Sequence, residues 1–147
     1  MAYEIYIGEW NRGATADEEG CTPQDVSLIE IDGAPTCAGD EMTGCSNRRQ
    51  PSYGVWDRFC RATGVYALFF DPRKGLMREH PGTASLTKGH AKEIAAALAR
   101  YRANHPDAQP TCESADEHDH HLARLIWLDW WVRWALANCR QPAIHNR

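Results

Sequence analysis

The segment from residue 115 to residue 139 constrains the fold most, because it contains neither glycine nor proline and carries four of the six tryptophans. On a helix that turns by about 100° per residue, its aliphatic side chains form one apolar wall and Trp127, Trp130 and Trp134 form another. A helix with two apolar walls must be covered on two sides. The sequence therefore predicts a central helix over 115–139, with these three tryptophans in the core.

Two further helices are predicted from the signals at their ends. Ser52 can accept a hydrogen bond from the first amides of a helix over 53–63, and Gly64 suits the left-handed residue that follows it. Thr87 can begin a helix over 88–104 in the same way. Both segments carry apolar residues at helical spacing, so each should pack one face against the core.

Shorter patterns predict a small sheet, and with it an α+β fold. Apolar and polar residues alternate over 3–7, and a second short run at 26–31 is also typical of a strand. The apolar run that begins at Val65 is followed by turn residues, which predicts a hairpin near 65–79. Residues 33–51 show no periodicity, and a loop of that length is typically functional or mobile.

The composition is that of an ordinary globular chain, with 43% hydrophobic and 24% charged residues among 147. This length suits one domain spanning 1–147. No apolar run approaches the roughly 20 residues needed to cross a bilayer, and the first residues lack the pattern of a secretory signal. We therefore expect no membrane contact and a cytoplasmic location.

Six cysteines bear on cofactors and redox state. None of them forms the C-x-x-C pair from which zinc sites usually draw their ligands. In the reducing cytoplasm all six are expected to be free thiols. Glycine-rich phosphate-binding motifs are also missing from the sequence, so no cofactor is predicted.

Charge is distributed unevenly along the chain. Residues 1–51 contain three arginines and ten acidic residues, a formal charge of −7, whereas the whole chain carries −4. A negative net charge argues against binding to a nucleic-acid backbone, so no nucleic-acid partner is predicted. The acidic N-terminal third either is a solvated surface or faces a basic site on a partner protein.

The densest run of titratable residues lies at the start of the predicted long helix. Helical spacing places Asp116 near His120. It also places Glu117 near His121, with His118 beside them, and these five residues are weak candidates for metal ligands. The alternative is that the helix dipole favours acids in the first turn while the histidines are solvated nearby. No metal site is predicted, because the H-E-x-x-H motif is absent.

A polar stripe separates the two apolar walls of the long helix and contains one tryptophan. The helical projection places Trp131 on this stripe, whose other members are Arg124, His120 and Asn138. Tryptophan and arginine are strongly enriched among interface hot spots. We therefore expect these four residues to form a binding surface for a protein partner, unless the predicted hairpin or the long loop covers Trp131 and completes the core.

Three functions are compatible with these patterns. The first is a non-enzymatic protein-interaction module, which binds a protein partner or associates with itself as a homodimer. The second is an inhibitor from a phage or mobile element, whose acidic N-terminal third would occupy a basic site on a host protein. The third is a small metal-dependent or acid/base enzyme that uses the Asp/Glu/His cluster at 116–121. The first is preferred, because the sequence shows no catalytic signature.

Overall fold

The computed structural model describes residues 1–12, 25–35 and 46–147, and these residues form an α+β fold. The described strands are β1 (Ile5–Glu9), β2 (Arg48–Arg49), β3 (Gly82–Ser85) and β4 (Pro142–Asn146). The described helices are α1 (Tyr53–Thr63), α2 (Tyr66–Phe70), α3 (Lys88–Asn104) and α4 (Glu117–Asn138). A small antiparallel sheet packed with helices confirms the fold class predicted from the sequence.

The helices α1 and α3 begin and end where their sequence signals predict. The Ser52 hydroxyl accepts a hydrogen bond from an amide in the first turn of α1, and Gly64 ends that helix with a φ of 79°. Glycine adopts this left-handed conformation without the strain that a side chain would cause. At the start of α3, the Thr87 hydroxyl accepts from the His90 amide, and the His90 ring accepts from the Thr87 amide. Both predicted helices are confirmed.

The long helix α4 lies at the centre of the fold, as the sequence predicts. Asp116 caps it by accepting a hydrogen bond from the His118 amide at 2.9 Å. Its buried face carries Leu125, Leu128 and Val132, and the helix contacts α1, α3, β1 and β4. Among the described helices, none is both long and apolar enough to cross a membrane.

The prediction of a hairpin near 65–79 is wrong. Its apolar run forms the short helix α2, which buries Phe69 completely. An apolar run of six residues fits a buried strand and a buried helix equally well, so periodicity could not separate the two. The chain after α2 turns back onto it, and the Leu76 amide donates to the Leu68 carbonyl at 2.9 Å. Residues 71–79 are therefore turns packed on α2 rather than part of a hairpin.

The sheet has the strand order β2-β1-β4-β3, with every neighbouring pair antiparallel. The strand predicted at 3–7 is present as β1, whereas β3 and β4 were missed. Pro142, which follows the long helix and looks like a stop signal, is the first residue of β4. The strand β2 lies inside the predicted loop 33–51, of which residues 36–45 lie outside the described part of the chain.

The central strand β1 is buried on both faces. Ile5 and Ile7 belong to the main core, which lies between the sheet and the helices. Tyr6 points to the opposite face and packs with Val26 and Ala143 in a second, smaller apolar cluster. This alternation follows from the period of two along a strand. The outer face of the sheet is therefore partly covered as well.

The prediction of a strand at 26–31 is wrong. The side chain of Asn47 holds this segment in place instead. Within it, only Val26 forms a strand-type bridge. The Asn47 side chain donates to the Ser27 carbonyl at 2.8 Å and to a carbonyl of β1 at 3.0 Å. It also accepts from the Ile29 amide at 2.9 Å. Because Asn47 is completely buried, its amide takes the place of the missing ladder of backbone hydrogen bonds.

Candidate anion-binding cleft

The stripe of α4 that was predicted to face solvent is largely buried. Trp131 has no exposed surface and packs edge-on against Trp130 and Trp134, with ring centroids 5.0 and 5.2 Å away. Arg124 is only 8% exposed. The prediction that these side chains face solvent is wrong for Trp131 and Arg124. Trp131 instead completes the core, which was the alternative.

The helical projection was wrong because the elements that pack around α4 cover a different part of its surface from the part that the sequence pattern suggests. Trp127 is buried as predicted, whereas Trp130 and Trp134 lie partly exposed at the rim of the core. The core extends from the aliphatic wall across the stripe that carries Trp131. A polar stripe indicates where solvent could lie, but it does not show which elements pack there.

The other two predicted binding residues lie near opposite ends of α4. The Nε2 atom of His120 lies 2.7 Å from the carbonyl oxygen of Ser114, just before the helix. Asn138 is exposed at the last turn, where its side-chain amide donates to the Trp134 carbonyl. The four predicted residues therefore do not form one exposed surface.

The candidate metal ligands near the start of α4 contact separate partners. Asp116 accepts from the His118 amide, and the His118 ring lies 2.9 Å from the Tyr101 hydroxyl. Glu117 contacts His121 at 3.4 Å. Among the described residues, no group of three or more His, Cys, Asp or Glu side chains could hold a metal ion. The cluster at 116–121 does not converge on one point.

Burial and hydrogen bonding shift several pKa values where α3 meets α4. Burial lowers the pKa of His121 and raises the pKa of Tyr101 to about 12. The Ser114 hydroxyl and the Gln109 amide donate to Asp119, which lowers the pKa of that carboxyl. These contacts fasten the chain before α4 to the helix, so their role is structural.

The outer face of the sheet brings a hydroxyl, an imidazole and a carboxylate together. The Thr83 hydroxyl lies 2.7 Å from Nδ1 of His145, and an Asp25 carboxylate oxygen lies 3.5 Å from the same nitrogen. Burial lowers the pKa of His145. In hydrolase triads the hydroxyl and the carboxylate contact opposite ring nitrogens. Because both groups meet one nitrogen here, the contact links β3 to β4 and does not match a catalytic relay.

A cleft of about 460 Å³ lies beside the edge strand β3 and collects residues from separate parts of the chain. Four of its lining side chains are cationic and exposed, namely Arg12, Arg73, Lys74 and Arg78. Its other polar and aromatic lining residues are Trp10, Thr83, Ser85 and His90. None of the described residues that line it is acidic. We call this surface the basic cleft.

A tight turn presents two of the cations. The Asp71 carboxylate accepts hydrogen bonds from the backbone amides of Arg73 and Lys74, at 2.9 and 3.1 Å. These bonds lower the pKa of Asp71 and fix the turn through the backbone. The side chains of Arg73 and Lys74 line the basic cleft, and the Lys74 charge also helps to lower the pKa of Asp71. Nearby, the Arg78 guanidinium donates to the Gly75 carbonyl at 3.3 Å.

The third arginine of the basic cleft is held by an aromatic ring. The guanidinium of Arg12 lies over the indole of Trp10, 3.9 Å from the ring centroid. This cation–π contact restricts a long side chain that would otherwise sample many orientations. Trp10 in turn packs against the small apolar cluster around Tyr6 on the outer face of the sheet. The position of Arg12 is therefore tied to the sheet.

The basic cleft concentrates positive charge in a chain whose net charge is −4. Among the residues that the structure describes, none of the four cations forms an ion pair. The first turn of α3 borders the cleft through His90, and the amino end of a helix carries partial positive charge. Burial lowers the pKa of His90, which favours its neutral form. An adjoining cavity of about 200 Å³ shares Lys74 and His90 and contains Glu93.

Three cysteines lie in the described part of the chain and are free thiols, namely Cys60, Cys112 and Cys139. Burial raises the pKa of Cys60, and it raises the pKa of Cys139 to about 11. Both thiols therefore stay protonated at neutral pH, which makes them poor nucleophiles. The other three cysteines, Cys21, Cys37 and Cys45, lie outside the described residues.

Sequence reasoning missed the basic cleft because the residues after Asp71 were interpreted as a hairpin turn. One signal was available, since residues 73–78 contain three cations and no acid. Nothing in the sequence links that segment to Arg12 or to the start of α3, and only the fold brings them together. No family model, curated protein or solved structure matches this chain.

Proposed function

We propose that the protein is a non-enzymatic interaction module whose basic cleft binds an acidic segment of a protein partner. The observation that carries this proposal is the cavity lined by Arg12, Arg73, Lys74 and Arg78, with no acid among its described lining residues. None of these cations forms an ion pair with a described residue. Their side chains are exposed at the cleft, where Lys74 also attracts the Asp71 carboxylate.

Electrostatics favours an anionic occupant. Like charges around one cavity repel each other, and an anion placed among them offsets that repulsion. Two unit charges 4 Å apart interact by about 1 kcal/mol in water and by about 4 kcal/mol near a protein surface. Several such contacts support binding that weakens as salt is added. Loss of affinity with increasing ionic strength would distinguish this interface from an apolar one.

The basic cleft also has a volume and a partly fixed arrangement of side chains that suit ligand recognition. Its volume of about 460 Å³ lies within the range of about 300–1,000 Å³ that is common for ligand sites. The Asp71 turn fixes the backbone that carries Arg73 and Lys74, and the Trp10 ring positions the Arg12 guanidinium before a ligand arrives. Positioning in advance lowers the entropy that binding must remove from flexible side chains.

The inhibitor hypothesis concerns a different surface, the acidic N-terminal third. Five of its ten acidic residues lie outside the described part of the chain, namely Asp17, Glu18, Glu19, Asp40 and Glu41. That hypothesis therefore stays a prediction. Self-association as a homodimer also stays a prediction, as does an enzymatic use of the cluster at 116–121.

Calorimetric titration with a hexaglutamate peptide tests the proposed function. We expect the double variant Arg73→Gln/Lys74→Gln to bind this peptide at least about tenfold more weakly than the wild type, because it lacks two of the four cations. The variant should fold, since the Asp71 turn is held mainly by hydrogen bonds from the backbone amides of these residues, which the substitutions keep. Circular dichroism checks that the fold is retained.

A matched control separates recognition in the basic cleft from general attraction between charges. The double variant Lys92→Gln/Arg102→Gln removes one lysine and one arginine from exposed positions on α3 that do not line the cleft. It should bind hexaglutamate as the wild type does at the same salt concentration. The proposal fails if the cleft variant keeps full affinity, or if both variants lose affinity equally.

A further inference from the structure

We infer that the basic cleft recognises a phosphate monoester group, as carried by a phosphorylated side chain in the acidic partner segment. This inference rests on the proposed function and narrows the chemistry of its ligand. The basic cleft combines three arginines, the serine Ser85 and the first turn of α3 around one cavity. Each of these features suits an oxyanion with more than one negative charge.

The number of cations exceeds what one carboxylate can balance. Arg12, Arg73, Lys74 and Arg78 bring four positive charges to a single cavity. A glutamate side chain carries one negative charge and two acceptor oxygens. A phosphorylated side chain carries about −1.5 to −2 at neutral pH, with three strong acceptor oxygens. A phosphate monoester in this cavity therefore balances more of the positive charge than a single carboxylate does.

The donor groups also match a tetrahedral anion. Three of the four cations are arginines, whose planar guanidinium presents paired N–H donors to two oxygens of one phosphate. Thr83 and Ser85 line the same cavity, and these residues lie two apart on β3, so they share a face of that strand. The Thr83 hydroxyl already contacts Nδ1 of His145, which leaves Ser85 as the hydroxyl donor of this face. A serine hydroxyl beside arginines can donate to a phosphate oxygen that the guanidinium groups do not reach.

The helix α3 contributes a positive electrostatic potential to the cleft rather than direct hydrogen bonds to the ligand. It is 17 residues long, and its first turn borders the basic cleft through His90. The amino end of such a helix is equivalent to about half a positive charge. The amides of Thr87 and His90 are already used in the cap of the helix. These two amides therefore do not donate to a phosphate, and we assign the donor role to the side chains of the cleft.

Two matched peptides with blocked ends test this inference by calorimetry. One carries a single phosphoserine between pairs of glycines, and the other carries glutamate at the same position. We expect the wild type to bind the phosphoserine peptide at least about tenfold more tightly, and inorganic phosphate to compete with it. Equal affinity for the two peptides would overturn the inference.

The variant Arg73→Lys tests the use of paired donors at constant charge. It should weaken binding of the phosphoserine peptide, because lysine keeps the charge but loses the planar fork that pairs with two oxygens of one anion. The exposed Arg102→Lys is the matched control and should leave this affinity unchanged. Unchanged affinity for the phosphoserine peptide in Arg73→Lys would contradict recognition through a guanidinium.

The outcomes separate the inference from the proposed function. Binding of hexaglutamate without any preference for phosphoserine would overturn the phosphate inference and leave the proposed function standing. Failure of both ligands to bind would overturn both. Binding of the phosphoserine peptide more tightly than inorganic phosphate supports a phosphorylated partner side chain. Equal binding of these two probes supports the phosphate chemistry and assigns it to a small phosphorylated molecule.

Discussion

The helix α4 and the basic cleft use chemically versatile residues in different ways. In α4, aromatic and titratable residues follow each other closely in sequence, but Trp131 is buried and Asp119 is hydrogen-bonded to its neighbours. The basic cleft collects cations from positions as distant as Arg12 and Arg78 and leaves them exposed. A dense run of such residues along the chain therefore does not locate a site. Charges that the fold brings together without neutralising them are a better guide.

Truncation of Trp131 has the largest expected effect and tests the α4 side of this comparison. We expect Trp131→Ala to lower the free energy of unfolding by about 3–5 kcal/mol, because it removes a large aromatic side chain from the core. Trp131 has no exposed surface, so water cannot compensate for the lost contacts. Urea denaturation monitored by circular dichroism measures the change.

The cleft variant Arg73→Gln/Lys74→Gln is compared with Trp131→Ala in the same urea denaturation experiment. Both side chains are exposed and form no ion pair with a described residue. The free energy of unfolding should therefore change by less than about 0.5 kcal/mol. A Trp131→Ala protein as stable as the wild type, or a strongly destabilised cleft variant, would break the comparison.

Acid should destabilise the fold through three histidines. The expected decrease in the free energy of unfolding is smaller than the decrease caused by Trp131→Ala. Burial lowers the pKa of His121 in α4, of His90 beside the basic cleft and of His145 on the sheet. The unfolded chain then binds protons more readily than the folded protein. Stability is therefore complete above the usual histidine pKa of about 6.5 and falls as the pH drops below it. Urea denaturation at several pH values between about 7.5 and about 5 measures this decline.

The variant His121→Leu tests how much the buried histidine of α4 contributes to the pH dependence of stability. It removes one buried imidazole from α4, so its stability should decline less steeply with acid than that of the wild type. The exposed Lys92→Gln should keep the wild-type slope. If stability rises with acid, or if His121→Leu leaves the slope unchanged, burial of neutral histidines does not explain the pH dependence.

The helices could be predicted from the sequence because their signals are local. Ser52 and Thr87 accept hydrogen bonds from amides only three positions away, and Gly64 acts through its own backbone. The sheet could not be predicted in the same way. Its central pairing places Ile7 opposite Ile144, and residues separated by almost the whole chain leave no periodic signal within either segment.

The candidate site was harder to predict than the fold. A helical projection distinguishes the faces of α4, but it does not show which face the other layers cover, and it therefore placed Trp131 in solvent. The cations at 73–78 were visible in the sequence as a small basic run. Their meaning depends on Arg12 and on the first turn of α3, which only the tertiary structure places beside them.

Amide chemical-shift mapping by NMR, during titration of isotope-labelled protein with hexaglutamate, tests the central claim most directly. It reports on both regions of the molecule in one experiment. We expect the largest shifts at residues 73–78 and 83–85 and at Arg12, with small shifts at 116–121. Largest shifts at 116–121, with residues 73–78 unchanged, would contradict the assignment of the basic cleft as the binding site.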